Sequence, residues 1–270
     1  MDRLTFVDGG YRTPPGRPGA LARAFPSLSF YARAIEIVWR SSGRAKRGAY
    51  GYEEWAASSL EILRALEAVG VSLTVAGTGG FQALDGPCVF VGNHMSTFET
   101  FVLPAVIVAT GRRVTFVVKR SLVDYPVFRH VMRSRDPIVV GRENPREDLV
   151  AVLEGGAERL RAGISLMIFP QTTRTPVFDP EAFNTIGVKL ARRAGVPVVP
   201  VALRTDTWGN GRLLKDFGPV NPALPAHIEF GEPLAVRGRG VEEHRRAIEF
   251  ISARLRAWGG EVAAPAGEGH

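Results

Sequence analysis

Residues 87–118 read PCVFVGNHMSTFETFVLPAVIVATGRRVTFVV, which is an apolar run, a polar turn, a helical stretch and a second apolar run. The runs at 87–91 and 114–118 are short, rich in β-branched residues and bounded by turn residues, so both are predicted to be strands. The length and apolar character of residues 97–109 predict a helix between them. The stretch therefore has the order strand, helix, strand.

The same alternation continues on both sides of this stretch. Further short apolar runs occur at 71–75, 137–140, 164–169, 196–203 and 227–230. Candidate helices lie at 53–69, 126–134, 145–162, 184–194 and 241–258. Continuous apolar strands that alternate with helices are typical of sheets buried on both faces. We therefore predict an α/β fold, with a mixed, largely parallel sheet flanked by helices and preceded by an N-terminal helical region.

Positive charge is concentrated near the N-terminus. The 270 residues include 34 Lys+Arg and 27 Asp+Glu, and residues 1–50 hold nine of these basic and three of these acidic side chains. Residues 21–39 mix arginine with leucine, phenylalanine, isoleucine and tryptophan, which predicts a basic amphipathic helix. Such a helix binds an anionic membrane surface or packs on its own domain, and both can hold together. No nucleic acid partner is predicted, because no recognisable nucleic-acid module accompanies the charge.

We divide the chain into a basic amphipathic N-terminal region (1–50), an α/β domain (51–258) and a flexible tail (259–270). The first twenty residues lack the apolar core of a secretion signal, so the protein is expected to stay in the compartment where it is made. No apolar stretch reaches the roughly 18 residues that span a bilayer, so an integral membrane protein is not expected. The single cysteine, Cys88, excludes a disulfide framework and is expected to be a buried strand thiol.

His94 and Glu99 are the candidate residues for proton transfer. Sites in α/β sheets gather where strands end, and His94 follows the strand predicted at 87–91. Histidine accepts a proton near neutral pH, and a nearby carboxylate can orient it. A structural alternative stays open, since Ser96 and Glu99 have the spacing of a helix capping box. Ser96 lacks the glycines of a nucleophile elbow, and the scattered histidines predict no metal site.

Basic and hydroxyl side chains follow other predicted strands. The run at 164–169 leads into FPQTTRT at 169–175, which offers hydroxyls and an arginine fork to an anion such as phosphate. Lys119 and Arg142 follow two further strands. In a parallel sheet these side chains would converge on one crevice and form an anion site. Each of them alone is more typical of a solvated surface charge, and only their recurrence at three strand ends makes an anion site an equal alternative.

Taken in order, four blocks of this sequence resemble the motifs of the glycerolipid acyltransferase family. That family's first block is Asn-His, four residues and Asp, and its third is Phe-Pro-Glu-Gly-Thr-Arg-Ser. The corresponding blocks here are NHMSTFE at 93–99, KRSLVDYPVFRHVM at 119–132 with PIVVGR at 137–142, FPQTTRT at 169–175 and GVPVVPV at 195–201. Their shared order and spacing are more specific than any single block.

The resemblance implies an acyltransferase that moves a fatty acyl group from acyl-CoA or acyl carrier protein to a hydroxyl of 1-acylglycerol-3-phosphate or a similar lysophospholipid. His94 would be the general base and Glu99 would orient it, with no metal and no cofactor besides the thioester co-substrate. The implied substrate-binding residues are Arg174, Arg142, Lys119, Gln171, Thr172 and Thr173. The resemblance also implies a cytoplasmic protein that is peripheral on the inner face of the membrane, bound through residues 1–50.

This chain departs from the family pattern at the site. Glu99 stands where the family has Asp, and Gln171-Thr172 stand where it has Glu-Gly. FNTIG at 183–187 replaces the family's Phe-Lys-x-Gly, which removes a cation. These departures open two alternatives to 1-acylglycerol-3-phosphate acylation: a different acceptor, or a catalytically weakened lipid-binding or membrane-binding protein of the same fold.

Overall fold

The computed structural model describes residues 3–125, 127–141, 143–171, 173–212 and 215–264. Within them the helices are α1 (Ala20–Ala24), α2 (Pro26–Lys46), α3 (Tyr52–Ala68), α4 (Thr78–Gln82), α5 (Phe98–Ala109), α6 (Arg120–Asp124), α7 (Arg129–Arg133), α8 (Pro145–Arg161), α9 (Ile186–Ala194) and α10 (Val241–Ala257). The strands are β1 (Tyr11–Arg12), β2 (Leu73–Ala76), β3 (Val89–Gly92), β4 (Val114–Lys119), β5 (Ile138–Val140), β6 (Ser165–Ile168), β7 (Val177–Phe178), β8 (Val198–Arg204), β9 (Ala226–Phe230) and β10 (Glu261–Val262).

In the described part of the chain, eight strands form one sheet in the order β1-β2-β9-β8-β3-β6-β4-β5. Strands β8, β3, β6, β4 and β5 run parallel to one another. Strand β9 is antiparallel to β8 and parallel to β2, while β1 is antiparallel to β2. The predicted mixed, largely parallel sheet is therefore confirmed.

The order of the strands places a switch point at β3. After β3 the chain builds β4, β5 and β6 on one side, and β8 then pairs with the other side of β3. The carboxyl ends of β8, β3 and β6 consequently lie side by side. Open α/β sheets bind their ligands in the crevice at such a point.

Strand β3 shows why the apolar runs are continuous. Its four residues are all buried, and they alternate between two clusters of apolar side chains, one on each sheet face. Phe90 belongs to the cluster formed with side chains of α2, α3 and α5. Val89 and Val91 belong to the cluster formed with side chains of α8, α9 and α10. A strand covered on both faces needs apolar residues at successive positions.

The basic N-terminal region forms two helices instead of the single helix predicted over 21–39. Pro26 is the first residue of α2, since helices accept proline at their first position but not in their interior. Helix α2 buries Phe30, Ala34 and Ile37 and packs on α3 and α7. The packing interpretation of this segment is therefore confirmed.

The helix predicted at 126–134 is shorter in the structure, and α6 precedes it. The two helices, α6 and α7, are separated at Tyr125, whose backbone is extended at φ −65° and ψ 125°. Pro126 follows Tyr125 in the sequence, and a residue before proline avoids the helical conformation. The sequence analysis assigned no element to residues 119–125, so α6 was not predicted.

Part of the segment predicted to be a flexible tail is paired with the domain. Glu261 and Val262 form β10, which runs parallel to β7. The backbone N–H of Ala263 donates to the carbonyl of Phe178 at 2.8 Å. Residues 265–270 lie outside the described residues. The pairing has no local signal, because β7 lies far away in the sequence.

Cys88 lies immediately before β3 and is 0% exposed. Its backbone N–H donates to Ser165 Oγ at 3.2 Å. Burial raises the pKa of the Cys88 thiol to about 12, since desolvation disfavours the thiolate. The predicted buried thiol is confirmed.

Candidate active site

The loop that carries His94 begins at the carboxyl end of β3, which lies between β8 and β6. A Cβ atom at Gly92 would lie 2.8 Å from the end of the Met167 side chain and 3.0 Å from the Val201 carbonyl oxygen, so a larger residue would crowd this end of β3. The next residue, Asn93, is 1% exposed. Its side-chain oxygen accepts from the N–H of Leu203 at 2.9 Å, and its side-chain nitrogen donates to the Leu203 carbonyl at 2.7 Å. Asn93 thereby ties the loop to β8.

The His94 imidazole is held on one edge and one face. Its Nδ1 lies 2.8 Å from Glu99 Oε2, and its ring stacks on Phe169 with centroids 4.2 Å apart and planes 14° apart. The His94 side chain is 15% exposed and that of Glu99 is 0% exposed. With Nδ1 facing a carboxylate, we assign the proton of the neutral ring to Nδ1 and the lone pair to Nε2. That arrangement suits a general base.

The Glu99 carboxylate accepts hydrogen bonds from the protein on both oxygens. The backbone N–H groups of Met95 and Ser96 donate to Oε1 at 3.0 and 3.1 Å, and the Ser96 N–H also reaches Oε2 at 3.1 Å. The Thr205 hydroxyl donates to Oε1. A fully buried carboxylate is tolerated only with such donors. Glu99 is therefore fixed from two elements, the turn before α5 and the end of β8.

The capping-box alternative and the proton-transfer interpretation are both met, by two contacts of the same carboxylate. Glu99 reaches back to the Ser96 N–H, and Ser96 Oγ accepts from the Phe98 N–H at 3.1 Å, as in a capping box. The other oxygen of Glu99 meanwhile bonds His94. Ser96 Oγ also donates to the Thr205 carbonyl at 2.9 Å. The cap thus builds the platform that orients the histidine.

Gln171 holds the backbone of His94. It is 5% exposed, its Oε1 accepts from the His94 N–H at 3.1 Å, and its Nε2 donates to Thr175 Oγ1 at 3.1 Å. The Thr175 N–H in turn donates to the His94 carbonyl at 3.0 Å. The replacement of the family's Glu by Gln is therefore accommodated by the neighbouring loop, and it does not by itself imply a degenerate site.

Arg174, a predicted anion-binding residue, contacts the start of α5 just after the His94 loop. Its Nη1 donates to Thr97 Oγ1 and lies 2.8 Å from Asp216 Oδ1, and its side chain is 15% exposed. Thr97 is three residues beyond His94 at the start of α5. The structure therefore brings His94, Glu99 and Gln171 into one set of contacts and places Arg174 against Thr97, in the turn between His94 and Glu99.

The other predicted site residues have no described contact with His94 or Glu99. Thr173 is exposed, and its hydroxyl lies 3.5 Å from Lys215 Nζ. Lys119 is exposed at the carboxyl end of β4, on the same edge of the sheet as His94, and no described contact joins the two. Arg142 and Thr172 lie outside the described residues. Among those described, no group of three His, Cys, Asp or Glu side chains is placed to hold a metal ion.

Sequence reasoning missed Thr205 and Asp216. Thr205 follows the strand predicted at 196–203 after one residue, so the rule of inspecting the end of every strand would have found it. Asp216 had no signal, because it lies in a long connection between β8 and β9. The stacking of Phe169 on His94 was likewise invisible, although Phe169 belongs to a quoted motif.

Residues 72–204 match the family model described as Acyltransferase. These residues are a domain of the acyltransferase family. The domain runs from just before β2 to the end of β8 and includes His94, Glu99 and Arg174. The resemblance inferred from the four sequence blocks is confirmed.

Relatives of this acyltransferase domain carry related descriptions. The chain is 29% identical over 246 residues to the 1-acyl-sn-glycerol-3-phosphate acyltransferase of Pseudomonas aeruginosa, covering 91% of this chain and 86% of that protein. It is 31% identical over 118 residues to a probable 1-acyl-sn-glycerol-3-phosphate acyltransferase of Mycoplasma pneumoniae, covering 42% of each chain. The fold is similar to the crystal structure of the 1-acyl-sn-glycerophosphate (LPA) acyltransferase of Thermotoga maritima, with a TM-score of 0.67, 18% identity, and 88% of this chain and 96% of that chain covered.

Proposed function

We propose that this protein transfers a fatty acyl group from a thioester, acyl-CoA or acyl carrier protein, to the free hydroxyl of 1-acylglycerol-3-phosphate or a closely similar lysophospholipid. The observation that carries the proposal is the 2.8 Å contact between His94 Nδ1 and Glu99 Oε2, at the switch point of an acyltransferase-family sheet. The substrate named in the relatives' descriptions supports the choice of acceptor.

In the proposed reaction His94 accepts one proton from the acceptor hydroxyl and later gives it to the leaving thiolate. Nε2 takes the proton of the acceptor hydroxyl while the oxygen attacks the thioester carbonyl, and Glu99 stabilises the imidazolium that forms. The tetrahedral intermediate then collapses with cleavage of the carbon–sulfur bond. The leaving thiolate takes the proton from His94, which returns the histidine to its neutral form. The transfer is direct, so no acyl-enzyme forms and no cofactor is consumed.

The function is tested by thiol release from palmitoyl-CoA with purified full-length protein and a panel of acceptors. We expect release with 1-acylglycerol-3-phosphate and none with diacyl phosphatidic acid, which has the same phosphate but no free glycerol hydroxyl. Lysophosphatidylglycerol and monoacylglycerol report which head group is accepted. The same assay is repeated with acyl carrier protein thioesters as the acyl donor. If neither donor released thiol with any acceptor of the panel, the alternative of a catalytically weakened lipid-binding protein would be supported.

Arg174 is proposed to bind the phosphate of the acceptor, because its planar fork matches the oxygens of a phosphate. Arg174→Lys keeps the charge and loses the fork, so we expect the acceptor KM to rise about 10-fold and the donor KM to stay nearly constant. Initial rates with each substrate varied in turn give both constants.

Arg159→Lys is the matched control for this variant. Arg159 is 18% exposed and forms an ion pair of 2.6 Å with Asp136, so its surroundings resemble those of Arg174. Asp136 lies two residues before β5, at the amino end of that strand. His94 lies at the opposite, carboxyl edge of the parallel strands. A larger change in the donor KM than in the acceptor KM of Arg174→Lys would place this arginine on the thioester side.

The N-terminal apolar surface is proposed to bind anionic membranes. It consists of exposed large apolar side chains on or beside α1 and α2, namely Leu21, Phe25, Leu28, Ile35 and Trp39, which are 56% to 72% exposed. Leu28, Ile35 and Trp39 recur at helical spacing on the face of α2 opposite to its buried side chains. Exposed arginines such as Arg23 and Arg33 border the surface. Every helix within the described ranges is too short or too polar to cross a bilayer.

Leu28→Gln combined with Trp39→Gln is expected to weaken binding to vesicles of phosphatidylcholine and phosphatidylglycerol at least 10-fold, because each buried apolar side chain contributes roughly 1.5–3 kcal/mol. Co-sedimentation measures the bound fraction, with Val241→Gln as the control. Val241 is 70% exposed at the start of α10, outside the N-terminal apolar surface. Equal sedimentation of the double variant and the control would contradict membrane binding through this surface.

A further inference from the structure

The carboxylate of Asp216 occupies the anion-binding side of Arg174. Asp216 Oδ1 lies 2.8 Å from Arg174 Nη1, in the connection between β8 and β9. The Thr97 hydroxyl accepts from the same Nη1 and lies 3.5 Å from Asp216 Oδ1. The two side chains differ in accessibility, since that of Arg174 is 15% exposed and that of Asp216 is 54% exposed. The Arg174 side chain is therefore largely enclosed by the protein, whereas about half of the Asp216 side chain faces solvent.

The base of the loop that carries Asp216 is closed by backbone contacts. Trp208 and Val220 form an antiparallel bridge, and the Gly209 N–H donates to the Pro219 carbonyl at 2.9 Å. A Cβ atom at Gly218 would lie 1.9 Å from the Gly209 carbonyl oxygen, so the close approach requires glycine. Asp216 is therefore two residues from a closed, sterically restricted base.

The same loop is anchored to the site and to the N-terminal helix. Asn210 Nδ2 donates to the Met95 carbonyl at 2.9 Å, next to His94. The Tyr31 hydroxyl of α2 donates to the Gly218 carbonyl at 2.6 Å, and the rings of Tyr31 and Phe217 lie 5.5 Å apart. These contacts fix the loop on both sides of Asp216, at Asn210 and at Phe217 and Gly218.

We propose that Asp216 is an internal competitor for the phosphate-binding position of Arg174, which the acceptor's phosphate must displace. This inference rests on the proposed function, in which Arg174 binds that phosphate. A phosphate monoester carries up to two charges and three acceptor oxygens, whereas Asp216 offers one charge, so the substrate can replace it. The Asp216 carboxylate then swings into solvent, where it is already half exposed. Asp216 thus raises the KM for the acceptor, and it takes no part in the acyl transfer itself.

Asp216→Asn removes the competing charge at nearly constant volume. Since a partly exposed ion pair contributes little, we expect the KM for 1-acylglycerol-3-phosphate to fall about 2- to 5-fold. The inhibition constant of inorganic phosphate, measured against the acceptor, is expected to fall by the same factor, because both anions displace the same carboxylate. The KM for monoacylglycerol, which carries no anion, is not expected to fall, and neither is the KM for palmitoyl-CoA.

Asp136→Asn is the matched control, because Asp136 is 66% exposed and paired with Arg159 at 2.6 Å. Direct titration of each protein with inorganic phosphate needs no turnover, so it separates this inference from the proposed function. Tighter phosphate binding by Asp216→Asn than by Asp136→Asn supports the inference even if the acceptor differs. Unchanged or weaker phosphate binding overturns it. A lower melting temperature and a lower kcat of Asp216→Asn with unchanged phosphate binding would show a structural role for Asp216 instead.

Discussion

His94→Ala is expected to lower the rate of acyl transfer about 10²- to 10⁴-fold, because in the proposed mechanism the acceptor hydroxyl loses the base that takes its proton. The variant keeps the backbone contacts of residue 94 with Gln171 and Thr175, since both involve main-chain atoms of that residue. The described contacts of the side chain are those with Glu99 and Phe169, and the main-chain contacts of residue 94 hold the loop without them, so we expect the fold to survive its removal. The measurement is thiol release at saturating acceptor, together with circular dichroism and thermal unfolding.

Added imidazole distinguishes a missing base from a damaged site. The truncated side chain leaves space between Phe169 and Glu99, in which free imidazole can bind and accept the proton. Partial recovery of His94→Ala by imidazole, with no effect of imidazole on the wild-type rate, is the expected result. A variant that turns over within a few-fold of the wild type would exclude His94 as the general base.

Glu99→Gln is expected to lower the rate roughly 10²-fold or more and to reduce stability as well. Both carboxylate oxygens accept hydrogen bonds, and a carboxamide places an NH₂ group where one of these oxygens stands. The NH₂ group either faces His94 Nδ1, which then cannot keep its proton there, or faces the donors from Met95, Ser96 and Thr205. A buried donor left without an acceptor costs about 1–3 kcal/mol. Turnover and the free energy of unfolding are measured on the same preparation.

Glu54→Gln separates helix capping from orientation of the histidine. Glu54 lies in the first turn of α3 and accepts from the Gly51 N–H at 2.7 Å, so it is a capping glutamate with no contact to the site. We expect Glu54→Gln to cost some stability and to leave turnover intact. If Glu99→Gln behaved in the same way, Glu99 would be a cap and not an orienting residue.

The contact between His94 and Glu99 could be predicted because it is local. The two residues are five positions apart, in a turn and the first helical turn that follows, so few backbone conformations connect them. For the same reason the capping contact with Ser96 was visible, although the sequence could not show that one carboxylate makes both contacts. The alternation of strands and helices was also predictable, since burial of both sheet faces leaves continuous apolar runs.

Contacts between distant segments could not be predicted. Thr205 is 106 residues from Glu99, Gln171 is 77 residues from His94, and Asp216 is 119 residues from Thr97. These contacts depend on β8 and β6 flanking β3, and periodicity within a strand carries no information on its neighbours. The role of Gln171 illustrates the difference, because its family motif suggested substrate binding whereas its observed partners are His94 and Thr175.

Local sequence was thus sufficient to decide the α/β class, the approximate boundaries of α3, α5, α8 and α10, and the pairing of His94 with Glu99. Tertiary structure alone decided which face of α2 is covered, which donors hold Glu99 and which anion occupies Arg174. The physical reason is that helices, caps and short turns are formed by neighbouring residues, whose interactions the order of the sequence contains. The site is closed by side chains from separate loops, and their meeting is set by the order of strands in the sheet.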